Sequence, residues 1–486
     1  MSPTAQQTTS PTETSYAQEA DIKRVFDKQK AYALKLRNST AKERVAKLKK
    51  LRDVILERRE AMYTACHNDF KKPETEVDMT EIFPVILEAN HAIKQLKKWM
   101  KPVHVMPTKA TFGTRSYIRY EPMGVNLIIA PWNYPINLTL CPLISAIAAG
   151  NTAILKPSEM TPHASVFLRE LVQDLFDEKE VALLEGDAKV SQQLLNLPFN
   201  HIFFTGSPAV GKIVMAAAAK HLSKVTLELG GKSPVIIDKS ADIKKAAKSM
   251  VFTKYSNNGQ TCIAPDYVFV HQAVKIEFIT ELRQAICSAY GITPDAQLAT
   301  PDYARIINNN HHSRIKALYD DALEHGAQLE TGGNIEGNGE NFISPTVLSS
   351  IDKSSQIMKE EIFGPLLPIL TYHNINEVID HVNANEKPLA LYIYTEDQKL
   401  AQQVLDNTSS GDACINTGLV QYLHANLPFG GVNHSGIGKT HGIYGFRAFS
   451  HERSVVRDLF APTLLMAPPY NKFVKRLVKL VVKHMS

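Results

Sequence analysis

Cysteine is scarce in this chain. Cys66, Cys141, Cys262, Cys287 and Cys414 are the whole supply in 486 residues. Their number is odd and they are widely scattered, with no CxxC or Cys/His pair at zinc spacing. That excludes a disulfide framework and a structural zinc site as working readings, and reduced thiols in a cytoplasmic setting are expected. An excess of charge of one sign is also missing. Lys and Arg number 54 against 49 Asp and Glu, a net +5, which is too little to argue for nucleic acid. No apolar run approaches the ~18 residues of a spanning helix. The opening MSPTAQQTTSPTETSYAQEAD has neither the basic start nor the apolar centre of a signal peptide. Residues 1–17 read as a polar tail. His311 and His312 have no carboxylate or third histidine at ligand spacing, so a solvated loop and no metal are expected.

What is present is an ordinary globular mixture, 44% hydrophobic and 21% charged, long enough for roughly three domains. Residues 18–60 carry apolar positions at helical spacing. TRSYIRYEP alternates like a strand and suggests an arm. From GVNLIIA to KVTLELG, short apolar strands alternate with helices, and INLTLCPLISAIAAG ends on Gly150. Such alternation predicts α/β architecture with a parallel, doubly wound sheet, which binds ligands beyond the carboxyl ends of its strands. A second alternating region runs from SPVIIDK to ACINT and predicts a second α/β domain.

HIFFTGSPAVGKIVMAAAAKHL reads strand, glycine turn, helix, with Gly206 and Gly211 spanning the turn. Amides at a helix start suit a pyrophosphate. The spacing is not the common G-x-G-x-x-G. It imitates a P-loop through Lys212, but Ile213 stands where a magnesium-binding hydroxyl belongs. A bare glycine helix start is the alternative. Lys156 and Glu159 in LKPSE follow a strand of the same sheet and can meet ribose hydroxyls, or form only a surface ion pair. A carboxylate there favours NAD over NADP, although a side chain that swings aside leaves both open.

Cys262 lies in NNGQTCIAPDY, a polar, Gly-containing flank unlike the apolar settings of the other four cysteines. A nucleophilic thiol needs a lowered pKa, from local dipoles or a bound positive charge; the alternative is a small core thiol. Asn133 follows the end of a strand. Its amide can hold an oxyanion together with the Cys262 backbone N–H, or can cap the next helix. Glu228, between leucines at a strand end, is poorly solvated, which raises its pKa toward that of a general base; pairing near a glycine turn is the alternative.

PWNYP, LKPSE, FFTGSPAVGK, VTLELGGKSP, NNGQTCIAPDY, EEIFGP and PFGGVNHSGIG occur in this order. In this the chain resembles the aldehyde dehydrogenase superfamily over roughly residues 20–470. Tyr134 after Asn133, CIAPDY and MAPPY resemble the class 3 branch of fatty, aromatic and coniferyl aldehyde dehydrogenases. The resemblance implies NAD(P)+-dependent oxidation of an aliphatic or aromatic aldehyde to the acid through a Cys262 thiohemiacetal and thioester, with Asn133 at the oxyanion and Glu228 activating water. It implies a dinucleotide held by Lys156, Glu159, Gly206, Ser207, Val210, Gly211, Leu229, Gly230, Glu361, Phe363 and Trp132. Glu361 would bind the nicotinamide ribose and Phe363 would pack beside the ring, from one side of a short strand. Tyr134, Thr261 and Phe429 would line the substrate pocket. The implied units are a nucleotide domain at 18–107 and 123–227, a catalytic domain at 228–412, and a bridging arm at 108–122 and 413–460 that joins a homodimer. Two departures stand out: Asn433 replaces glycine in a segment expected near the substrate entrance or domain joint, and Pro208 removes one amide from the phosphate turn. A coniferyl-type specificity, a thiol esterase without redox chemistry and an idle protein on the same fold are the other readings. In residues 461–486 the bases Lys472, Lys475, Arg476, Lys479 and Lys483 share one helical face beside apolar residues. They predict either peripheral contact with an anionic membrane or packing on a subunit.

Overall fold

A computed structural model describes residues 16–335, 339–460, 464 and 466–485. Most of the expected polar tail, residues 1–17, lies outside them. The strands in chain order are β1 (Val103–Val105), β2 (Thr114–Pro122), β3 (Val125–Ile129), β4 (Thr152–Lys156), β5 (Val181–Leu183), β6 (His201–Thr205), β7 (Lys224–Glu228) and β8 (Pro234–Ile237). They continue with β9 (Tyr267–His271), β10 (Gln328–Thr331), β11 (Thr346–Ser349), β12 (Leu366–Tyr372), β13 (Ala390–Tyr394), β14 (Asp412–Ile415), β15 (Gly436–Ile437) and β16 (Ser450–Asp458).

These strands form three sheets. The six-stranded sheet has the order β15-β7-β6-β3-β4-β5 and is parallel except for β15. Its central strands VNLII, TAILK and HIFFT are buried throughout, the near-continuous apolar pattern of a sheet covered on both faces. The helix Asn137–Ala149 packs into the core on β3 and β4 and ends on Gly150 at φ 87°, a conformation that suits glycine. The seven-stranded sheet has the order β10-β11-β12-β9-β8-β13-β14, with only β10 antiparallel. The small antiparallel sheet β1-β2-β16 is mostly exposed.

Two details differ from the sequence reading. The helix expected over 18–60 is broken: Glu19–Leu36 and Ala41–Glu57 are separate because Thr40 caps the second, accepting from the Glu43 amide while Glu43 accepts from that of Thr40. Residues 413–460 are shared among the three sheets. β14 completes the seven-stranded sheet, β15 pairs with β7, and only β16 joins β2. The tail forms the helix Lys472–Met485, with Val474 buried and Phe473, Leu480 and Val482 exposed. No helix among the described residues is long and apolar enough to cross a membrane.

Candidate active site

Because β3, β6 and β7 run parallel, their carboxyl ends share one edge. The segment after β3 presents Pro131, Trp132 and Asn133, β6 presents Thr205 and Gly206, and β7 ends on Glu228. These residues line a cavity of about 650 Å3 together with Ser207, Leu229, Gly230, Cys262, Glu361 and Phe363. A second cavity of about 710 Å3 reaches Cys262 from another side. Its walls include Met79, Ile82, Phe83, Leu138, Phe252, Ile263, Leu419 and Leu423, with Tyr134 and Thr261 near the sulfur-bearing residue. A third, small void is bounded by Cys262, Glu228, Phe429, Thr440 and His441. Cys262 thus stands where three spaces meet.

The polar flank of Cys262 is not a solvent-facing turn. Asn257, Asn258 and Gln260 are fully buried. Asn257, Asn258 and Gly259 take φ of 53°, 56° and 73° in succession, a left-handed run that Asn and Gly tolerate best. The side chains then satisfy the tightly folded backbone. Asn257 Nδ2 donates to the carbonyls of Asn133 (2.9 Å) and Gln260 (3.1 Å). Asn258 Nδ2 donates to Ala304 (2.7 Å). Gln260 Nε2 donates to Asn257 and Arg305 (both 3.0 Å), and its Oε1 accepts from the Ile307 amide (3.0 Å). Asn133 Nδ2 donates to the Gln260 carbonyl at 3.0 Å, which leaves its second N–H uncommitted. The helix after it is capped at Ile136 with no side-chain bond, so Asn133 is not its cap.

Electrostatics around the sulfur run opposite to the sequence expectation. Burial pushes the Cys262 thiol up to about 12, and the Glu361 and Glu228 carboxylates push the same way, while the amides of Cys262 and Ile263 pull it back. The protein alone therefore favours the thiol. Burial also holds Glu228 well above the usual carboxylate range, with Asp412 adding to the effect and Lys439 opposing it. Both Glu228 oxygens are buried and have no hydrogen-bond partner among the described residues. Glu361 is raised to about 8 by burial and by Asp266, against the Gly231 amide, Lys232 and Arg314.

Glu361 and Phe363 do not share a strand. They lie in an irregular segment, and Phe363 has φ 47°. Lys232 holds this segment by donating to the carbonyls of Ile357 (2.8 Å) and Glu360 (2.7 Å) while paired with Asp266. Asp266 accepts from the Ile362 amide at 2.8 Å, and Arg314 donates to the carbonyls of Glu361 (3.2 Å) and Ile362 (2.6 Å). Lys232 and Asp266 sit inside the motifs GGKSP and APDY, where the sequence carries a signal for them. Nothing local marks Arg314. Phe363 meets Trp132 edge-on at 5.4 Å. His311 and His312 belong to the helix Asn309–Glu324 rather than to a loop. The His311 ring lies 5.0 Å from Trp132, and His312 Nε2 lies 2.8 Å from the Ile335 carbonyl. Among the described residues no group of three or more His, Cys, Asp or Glu is placed to hold a metal ion.

Other expected residues fall outside the large cavity. Val210 is exposed on the helix Pro208–Ala219 and does not line it. Lys156 is buried and pairs with Glu159 at 2.7 Å; Glu159 borders a separate small void. Phe429 borders the void beside Glu228, not the apolar cavity. The segment around Asn433 lines the Glu228 side: β15 pairs with the end of β7, His434 faces the large cavity, and Asn433 accepts from Lys387 at 3.0 Å.

The donor set fits a dinucleotide. Ser207 caps the helix Pro208–Ala219, and Ser207, Pro208 and Ala209 at its start line the cavity. Gly211, in the first turn of that helix, lets it approach the sheet: a Cβ there would stand 2.7 Å from Leu229 Cδ2. A Cβ on Gly230 would overlap the Glu361 carboxylate.

The aldehyde dehydrogenase family model matches residues 1–455. A putative aldehyde dehydrogenase, AldX of Bacillus subtilis, is 46% identical over 90% of this chain and 97% of its own. The 4,4'-diaponeurosporen-aldehyde dehydrogenase of Staphylococcus aureus is 42% identical, covering 94% and 98%. Mouse aldehyde dehydrogenase family 3 member B3 is 40% identical, covering 91% of each. A substrate-bound structure of Staphylococcus aureus AldH superposes with TM-score 0.89 at 40% identity, covering 95% of this chain and 99% of that one. An NAD+ complex of a Bacillus cereus aldehyde dehydrogenase superposes with TM-score 0.84 at 28% identity, covering 92% and 90%. The chain belongs to the aldehyde dehydrogenase family, on its class 3-like side, and is an oxidoreductase that oxidises aldehydes with a nicotinamide dinucleotide.

Proposed function

We propose that this enzyme oxidises aldehydes with a medium-to-long apolar body, with Cys262 as the nucleophile. The observation that carries the reading is the apolar cavity of about 710 Å3 that reaches Cys262, beside the cavity of about 650 Å3 that reaches the same residue from the carboxyl ends of β3, β6 and β7. Cys262, once its proton has passed to solvent, adds as the thiolate to the carbonyl carbon, and the oxygen becomes an oxyanion that accepts from Asn133 Nδ2 and the Cys262 amide. A bound nicotinamide dinucleotide would supply the hydride acceptor, which leaves the thioester on Cys262. Thr205, Gly206, Ser207, Gly230, Glu361, Phe363 and Trp132 would hold the dinucleotide. The thioester left on Cys262 is attacked by water. Glu228, in its ionised form and with no hydrogen-bond partner to its buried oxygens among the described residues, takes the water's proton, and the acid leaves with Cys262 restored. Decanal turnover followed at 340 nm tests this: Cys262→Ser is expected to abolish it, and a folded variant that keeps wild-type turnover would falsify the assignment. In Glu228→Gln the first equivalent of reduced cofactor still forms, while steady turnover drops by about 10²–10⁴.

NAD+ is the dinucleotide we favour: Glu159 lies outside the large cavity and pairs with Lys156, and its carboxylate would repel a 2′-phosphate that reached it. Glu159→Gln should improve NADP+ use; an unchanged ratio counts against the role. The six-stranded sheet serves as the nucleotide unit and the seven-stranded sheet as the catalytic unit. We also propose a cytoplasmic enzyme that touches anionic membrane through the helix Lys472–Met485, whose lysines, arginine and exposed Phe473 and Leu480 support it. Cosedimentation with phosphatidylglycerol vesicles, lost in Lys475→Glu/Lys479→Glu, is the expected result. Equal recovery with neutral vesicles counts against it.

A further inference from the structure

Beneath the nucleophile turn lies a cluster of buried charges that the reaction itself does not use. Lys72 is fully buried, and its Nζ donates to Glu81 Oε1 at 2.8 Å. The same ammonium sits 4.0 Å from the centre of the Tyr134 ring. Glu81 is also fully buried, and its other oxygen accepts from the Asn137 amide at 2.8 Å. Glu76 is buried beside Lys72 and accepts from the Asn257 amide at 2.8 Å. The hydroxyls of Tyr134 and Thr261 are 2.5 Å apart.

Each bond ends on a part of the active site. Asn257 begins the left-handed turn that delivers Cys262, and its side chain holds the Asn133 and Gln260 carbonyls. Asn137 opens the helix that follows Asn133. Thr261 precedes Cys262. Glu76 and Glu81 come from one short stretch, the turn Glu74–Val77 and the wider turn Asp78–Ile82. That stretch also supplies Met79, Thr80 and Ile82 to the apolar cavity.

Burying an ammonium and two carboxylates is costly unless each is paired. A methionine at position 72 with apolar residues at 76 and 81 would fill the same space without that cost. The charges do what apolar packing cannot, since a carboxylate fixes a backbone amide in direction as well as distance. We propose that Lys72, Glu76 and Glu81 form a positioning cluster that sets where the Cys262 sulfur and the Asn133 amide stand, and that locks the wall of the apolar cavity to the nucleophile turn.

This inference rests on Cys262 being the nucleophile. The test compares two Glu76 variants. Glu76→Gln keeps an acceptor at the same reach and removes the charge. Glu76→Asp keeps the charge and withdraws the acceptor by one methylene. Three quantities are read in each: the burst rate of reduced cofactor with decanal, the iodoacetamide alkylation rate of Cys262 mapped by mass spectrometry, and the NAD+ dissociation constant. A misplacement near 1 Å costs about 10²-fold, so Glu76→Asp should lose about 10–10² in burst rate, with a changed Cys262 alkylation rate and unchanged NAD+ affinity. Glu76→Gln should stay within about threefold of wild type, because its acceptor is kept. Glu81→Asp, which withdraws the acceptor from the Asn137 amide, is the second probe if Glu76→Asp fails to fold. A wild-type burst rate in the folded Asp variants overturns the proposal, and so does an equal loss in Glu76→Gln. Full turnover after alkylation of Cys262 would instead overturn the nucleophile reading and is scored separately.

Discussion

Cys262 shows how far a residue's surroundings can oppose its task until a ligand arrives. Burial and the nearby Glu361 and Glu228 carboxylates push its thiol up to about 12, so the protein's own groups favour the thiol over the thiolate. A nicotinamide ring held in the adjoining cavity would supply the missing opposite charge and lower that value. The expected outcome is an alkylation profile for Cys262 whose midpoint moves to lower pH when NAD+ is added. A group stabilised as thiol is unreactive below its pKa, so the gain should be largest between pH 7 and the unliganded midpoint. Identical profiles with and without NAD+ would show that the sulfur is activated by something else. Glu228 fits the same pattern: with two bare buried oxygens it holds a proton more tightly than an exposed glutamate. Its burial between Leu227 and Leu229 was legible in LELGG. The elevation of Cys262 was not, because Glu361 and Glu228 reach it only through the fold.

The helix Pro208–Ala219 carries the phosphate-binding expectation, and its approach to the sheet depends on one missing side chain. Gly211 faces Leu229, and a Cβ would lie 2.7 Å from Cδ2. Gly211→Val therefore forces the helix outward at an overpacking cost of about 1–3 kcal/mol. NAD+ affinity should weaken while Cys262 alkylation in the absence of cofactor stays unchanged. Titration by tryptophan quenching reads the first, and an unaltered dissociation constant in the folded variant would remove Gly211 from the site. Pro208 at the first helical position is pre-set for the helix and gives up an amide the helix does not need. Strand and helix identities in this half were readable because parallel strands are buried along their length and read as continuous apolar runs. The segment of Glu361 was misread as strand because its shape is imposed from outside, by Lys232, Asp266 and Arg314.

Across the whole molecule, the small sheet β1-β2-β16 is the part least able to stand alone. Val103, Val105 and Val456 are exposed, and three strands with so little burial need another surface to pack on. A second copy of the chain is the expected partner. Sedimentation should report a dimer for the wild type and a shift toward monomer for Val456→Asp; a wild type that sediments as a monomer at micromolar concentration would end that reading. The sequence by itself determined the strand–helix alternation of the two α/β sheets and the residue types at the strand ends, since periodicity, turn chemistry and ordered motifs are local properties. It did not determine that the polar flank of Cys262 is turned inward, that Phe429 stands beside Glu228 and not in the apolar channel, or that Glu76 grips Asn257 from 181 residues away. Those contacts join distant parts of the chain, and only the tertiary fold, which lays residues 74–82 against the turn before Cys262, brings them within reach of a hydrogen bond.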